Sequence, residues 1–170
     1  MSWLKHVVAF AAVASATVIG TGVHLSAADE PPPPQVLPAG VACQGFAVQL
    51  DAGADTRSIH EFTDASGNVV RTILAGKGNP VTLTNLSTGK AVSLRGNGAP
   101  WSIVNNPDGS QTYTTMGHLV LILFPTDNPA GPSTTLYVGR VVFDVGPSPD
   151  FVFTLKSTVG TATDLCAALS

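Results

Sequence analysis

The chain has 170 residues, 44% of them apolar and only 11% charged, with a formal net charge of −3. That is the length of one ordinary domain, with ample material for a core. Its eight Lys and Arg are scattered singly, so nothing in the charge balance favours nucleic acid or an anionic membrane, whose phosphates need clustered Lys and Arg.

Residues 1–28 read as a secretory signal peptide. Lys5 precedes an apolar stretch from Val7 to Val23, and small residues follow before the first acids. Cleavage after Ala28 would leave Ser26 and Ala28 at the two small-residue positions, with cleavage after Ala27 the close competitor. The stretch is nearly long enough to span a bilayer, but its small, weakly apolar residues favour removal. No stable membrane insertion is expected after that cleavage, and the product is expected outside the cell, free or associated with the wall. Lipid attachment at Cys43 is rejected, because "DEPPPPQVLPAG" separates it from the apolar stretch. The mature part keeps seven of the eight basic residues and all eleven acids, for a formal charge near −4.

Residues 29–42 are expected to be a linker. "PPPPQVLP" cannot donate backbone hydrogen bonds at its prolines and favours an extended polyproline conformation. Residues 43–170 are then a single secreted β-domain. Export would put Cys43 and Cys166 in an oxidising compartment, where two thiols in one small domain pair. Their bridge would close a loop of about 123 residues, a constraint that the chain-entropy account values at roughly 4 to 5 kcal/mol. It is expected to tie the last strand to the first. Thiol catalysis is disfavoured, since there is no Cys-x-x-Cys spacing and neither cysteine adjoins a histidine.

From Phe46 onward short alternating runs are punctuated by turn residues. "FAVQL", "VTLTNL" and "FVFTLK" each alternate apolar with polar or small positions and predict strands with one buried face. Turns are predicted at "DASGN", "STGK" and "NPDGS", where Gly supplies positive φ and Asn, Asp or Ser bonds its own backbone. "HLVLILF" is apolar almost throughout, so Leu119 to Phe124 should form a strand covered on both faces, or an edge of an unrecognised interface. "PTDNPAGPSTT" is the longest irregular connection and the leading candidate for a functional loop. No segment after residue 45 predicts an amphipathic helix. The fold class is therefore all-β: an antiparallel meander of about ten strands, curled into a closed or partly closed barrel that hides its edges, with a two-sheet β-sandwich as the alternative.

"TNLSTGKAVSL", "NPDGSQTYTTMGHLVLILF", "GRVVFDV" and "DLCAALS" together resemble an uncharacterised group of small secreted actinobacterial β-domain proteins. The resemblance covers nearly the whole mature chain and rests mostly on turn chemistry. It implies secretion and a β-domain, and no activity.

Common catalytic signatures are missing: no Gly-x-Ser-x-Gly elbow, zinc helix, P-loop or dinucleotide motif occurs. "GKGNP" and "RGNGAP" fall between predicted strands and read as turns. His60 and His118 are the histidines of the mature part, and a metal site from them would need a further ligand such as Asp64. Asp51 and Asp55 lack the dense acidic spacing of a calcium loop. Asp64 and Asp108 sit in predicted turns that already explain them. Trp101, Tyr113 and Tyr137 are too few for a broad sugar platform. Asn85 opens a formal glycosylation triplet but abuts a turn that it would cap. No catalytic, metal or cofactor residues are assigned, and an enzyme is not favoured. The site residues are the bridge pair Cys43 and Cys166. The expected role is binding or structure at the cell exterior through an extracellular partner, or, alternatively, carriage of a small apolar ligand inside a barrel.

Overall fold

Alternation of apolar and polar residues lets most strands bury one face, the wholly exposed edge strand of residues 58–63 excepted, and the result is two antiparallel sheets. Residues 31–96 and 98–170 are described by the computed structural model, and the predicted signal peptide lies outside them. The smaller sheet contains β1 (Gln35–Leu37), β2 (Val48–Ala52), β5 (Val81–Asn85) and β6 (Ala91–Leu94), in the order β1-β2-β5-β6. The larger contains β3 (Ser58–Thr63), β4 (Val69–Ala75), β7 (Trp101–Asn105), β8 (Gln111–Leu123), β9 (Ser133–Val145) and β10 (Phe153–Asp164), in the order β10-β9-β8-β7-β4-β3. A five-residue helix, α1 (Leu165–Leu169), follows β10.

The strand number and the hairpin turns agree with the sequence; closure does not. Both sheets are open, so the barrel expectation is corrected to the two-sheet arrangement. Nor is the chain a simple meander, since it passes between sheets after β2, β4 and β6. Alternation specifies which side chains point inward and leaves open which sheet they belong to.

The predicted linker also needs correction. Gln35–Leu37 pairs with β2 as strand β1, and Leu37 and Ala42 are buried, so the folded domain begins well before Cys43. The Cys43–Cys166 bridge is present, with Cα atoms 5.6 Å apart. It does not join the last strand to the first: Cys43 lies between β1 and β2, and Cys166 lies on α1. Asp164 starts that helix by accepting from the backbone N–H groups of Cys166 and Ala167 at 2.8 and 3.1 Å, an N-cap that turns the chain away from β10.

The two clusters of the core meet at β8. Leu119, Leu121 and Leu123 pack with Ile103, Phe143 and Phe153 on one side. Ile122, flanked by Val120 and Phe124, packs with Val48, Leu83, Leu165 and the disulfide on the other. The apolar run is thus covered on both faces, as its composition predicts. Gly117, Gly139 and Gly160 stand in register across β8, β9 and β10, and all have positive φ. A Cβ at Gly139 would lie 2.0 Å from the Val159 carbonyl oxygen, so only glycine permits the strands to approach at this row.

Candidate ligand pocket between the sheets

The three passages between sheets lie side by side. Gly53 N–H donates to the Pro80 carbonyl at 2.8 Å, and Thr56 bonds the Lys77 carbonyl through its amide and its hydroxyl, at 3.3 and 2.8 Å. Gly96 approaches so closely that a Cβ there would meet the Gly78 carbonyl oxygen at 1.9 Å. Where these segments leave the sheets they frame the mouth of a cavity of about 180 Å³, to which they contribute Arg57, Gly78, Asn79, Arg95 and Ala99.

Below the mouth the walls are apolar. Leu50, Ala52, Val81 and Leu94 come from the smaller sheet. The larger sheet supplies the stretch Leu119–Ile122 and an aromatic wall of Trp101, Tyr113, Phe143 and Phe153. Register assembles this wall, for Tyr113 faces Phe143 across β8 and β9 while Phe153 faces Val145. Tyr113 and Phe143 stack at 4.9 Å between centroids, Phe143 and Phe153 at 5.7 Å, and Trp101 meets Tyr113 edge-on at 6.0 Å. The Tyr113 hydroxyl donates to Gln111 Oε1 at 2.8 Å, and burial pushes its phenol above the ordinary range.

Arg57 is the charged side chain built most firmly into the mouth. Its Nε donates to both Asp55 oxygens at 2.9 Å, and its Nη2 bonds Asp55 Oδ2. The guanidinium lies 5.3 Å from the Trp101 ring centroid, a cation–π geometry. Only 7% of the side chain is exposed. Burial tends to raise the Asp55 pKa, but the hydrogen bonds and charge of Arg57 outweigh it and hold the carboxyl below its ordinary value.

Of the residues weighed in the sequence, Trp101 and Tyr113 form part of the pocket wall and Asp55 pairs with Arg57, while most of the others fall elsewhere. His118 lines the pocket, whereas His60 sits on β3, two strands beyond β7 and exposed. Asp51 accepts from Gln49 Nε2. Asp64 and Asp108 bind backbone and side-chain donors of their own turns. Among the described residues no three His, Cys, Asp or Glu side chains gather as metal ligands. Asn85 is buried, its amide donating to the Leu169 carbonyl and its oxygen accepting from Ser87 N–H, so it caps its turn and anchors α1.

The long loop after β8 is a clamp. Buried Asp127 accepts from the backbone N–H groups of Phe124 and Phe153, at 2.6 and 2.9 Å, and so fixes the loop to the start of β10. Arg57, Arg95 and the facing of Tyr113 on Phe143 carry no motif and become visible only once the sheets are paired. No protein-family model, curated protein or solved structure matches the chain, and the pocket's chemistry is accordingly that of its own residues.

Proposed function

We propose that this protein is an exported, disulfide-stapled binding domain that carries a small apolar ligand between its two sheets. The cavity carries this reading. Protein interiors are close-packed, and an unfilled apolar void costs about 24 cal/mol per Å³. The cavity of about 180 Å³ opens at its mouth, and its apolar walls lack packing partners there. A ligand that occupied the space would restore those contacts. The size suits a small molecule, because an apolar cavity of about 150 Å³ takes up benzene. Export is supported by the apolar segment before residue 29, by the resemblance to secreted β-domains and by a bridge that an oxidising compartment would preserve.

The test uses Trp101, the single tryptophan after residue 28. Its fluorescence should change saturably when hexanol is added to the secreted protein, and Ala99→Phe, which fills the mouth side of the cavity, should abolish the change while circular dichroism shows an intact fold. Absence of any saturable change in the wild type, or an unaltered response in a folded Ala99→Phe protein, would overturn the reading.

A further inference from the structure

We infer that the molecule held in this pocket bears an anionic head group that rests against Arg95 and Arg57 at the mouth. This inference rests on the ligand-carrying reading above and adds the head group to it. Three observations carry it.

The first is the sign of the lining. The protein is acidic overall, yet among the described residues the pocket is lined by two arginines and by no aspartate or glutamate. An apolar cavity with arginines in its lining fits an amphiphile whose hydrocarbon packs on the apolar walls while its charge meets the guanidinium groups. The second is the disposition of Arg95. It follows β6 directly, lines the mouth, and makes no hydrogen bond or ion pair among the described residues. Its charge is therefore uncommitted among the described residues. The third is the preorganisation of Arg57. Asp55 takes Nε and Nη2, and Trp101 supports the guanidinium face, which leaves Nη1 without a partner among the described residues. A planar guanidinium fixed in this way loses little freedom when it accepts a carboxylate.

Asp55 neutralises most of the charge of Arg57, so Arg95 supplies the net attraction and Arg57 the fixed donor. The ligand class is a short-chain or single-ring carboxylate, since the cavity is only slightly larger than one that accepts benzene.

The experiment compares hexanoate, hexanol and hexylamine, which share one chain and differ in the head. Each is titrated into the secreted protein at neutral pH and low salt, with Trp101 fluorescence as the readout. Hexanoate should bind about tenfold or more tighter than hexanol, as one charge-assisted hydrogen bond provides, and hexylamine should bind weakest. Arg95→Gln should remove most of the advantage of hexanoate over hexanol and leave hexanol itself unchanged, which a general loss of folding would not do. Equal binding of hexanoate and hexanol, or hexanoate affinity untouched in Arg95→Gln, would overturn the head-group inference while the pocket reading stood. Failure of all three to bind would overturn both.

Discussion

At the scale of single residues, Asp55 and Arg57 do most to shape the mouth. Two positions apart, they form a closed ion pair that lays the guanidinium on Trp101. The Asp55 carboxyl is held below its ordinary value, so its contribution to stability is fully present above the unfolded value of about 3.9 and is lost as pH falls through the lower folded value. Exposed Asp64 and Asp108, held by their turn donors, shift in the same direction. Acidification from neutral pH should therefore lower the thermal midpoint only in the range below about pH 4, and Asp55→Asn should reduce that acid-dependent loss. Unfolding curves of both proteins between neutral pH and about pH 3 test this; an identical acid limb in Asp55→Asn would contradict it. The bonds made by Asp64 and Asp108 were legible in the sequence, because turn chemistry is local and an Asx side chain reaches its own backbone. The Arg57–Trp101 contact was not legible, because it joins a crossover to a strand 44 positions away in the chain.

At the scale of elements, the glycine row is the feature that alternation conceals. Gly117, Gly139 and Gly160 each look like isolated interruptions until β8, β9 and β10 are paired, and only then fall on one line. The row separates two kinds of surroundings. Before it, β8 buries Tyr113 and Thr115 on one face; after it, residues 119 to 124 are enclosed on both. Gly139→Ala would set a Cβ against the Val159 carbonyl oxygen at φ 139° and should cost about 3 kcal/mol or more. Gly45→Ala meets nothing within 4 Å and is not at positive φ, so it should change stability by less than about 0.5 kcal/mol. Urea unfolding midpoints separate the two, and a Gly139→Ala protein as stable as Gly45→Ala would refute the constraint. Alternation in "FVFTLK" predicts the last strand but starts it at Phe151, two residues before Phe153. Phe151 adopts φ 44°, and Gly146 N–H bonds the Val152 carbonyl at 2.8 Å, so a turn occupies those positions. Helix α1 carries no periodic signal in the sequence because five residues are too few for a helical period, although Asp164 is a sound N-cap signal.

At the scale of the whole molecule, the disulfide, α1 and the passages between sheets divide the labour. The bridge, Asn85 and Lys90, which donates to the Ser170 carbonyl at 2.7 Å, hold α1 over the smaller sheet. The pocket mouth lies instead among the crossovers. The pairing of the cysteines could be read from compartment and count, yet the elements they join could not, since the same two positions also suit a barrel seam. An all-β architecture was likewise legible from period and turns. Two open sheets were not, because a strand's buried face looks the same in a barrel and in a sandwich. The pocket follows from that difference: it is lined by residues of both sheets and of the crossovers that join them. Native mass spectrometry of the protein recovered from its own culture medium tests the central claim most directly. The account predicts a population carrying the mass of one small molecule, acidic and released on denaturation. Recovery of the bare polypeptide alone, together with no mass gained on incubation with hexanoate or hexanol, would contradict it.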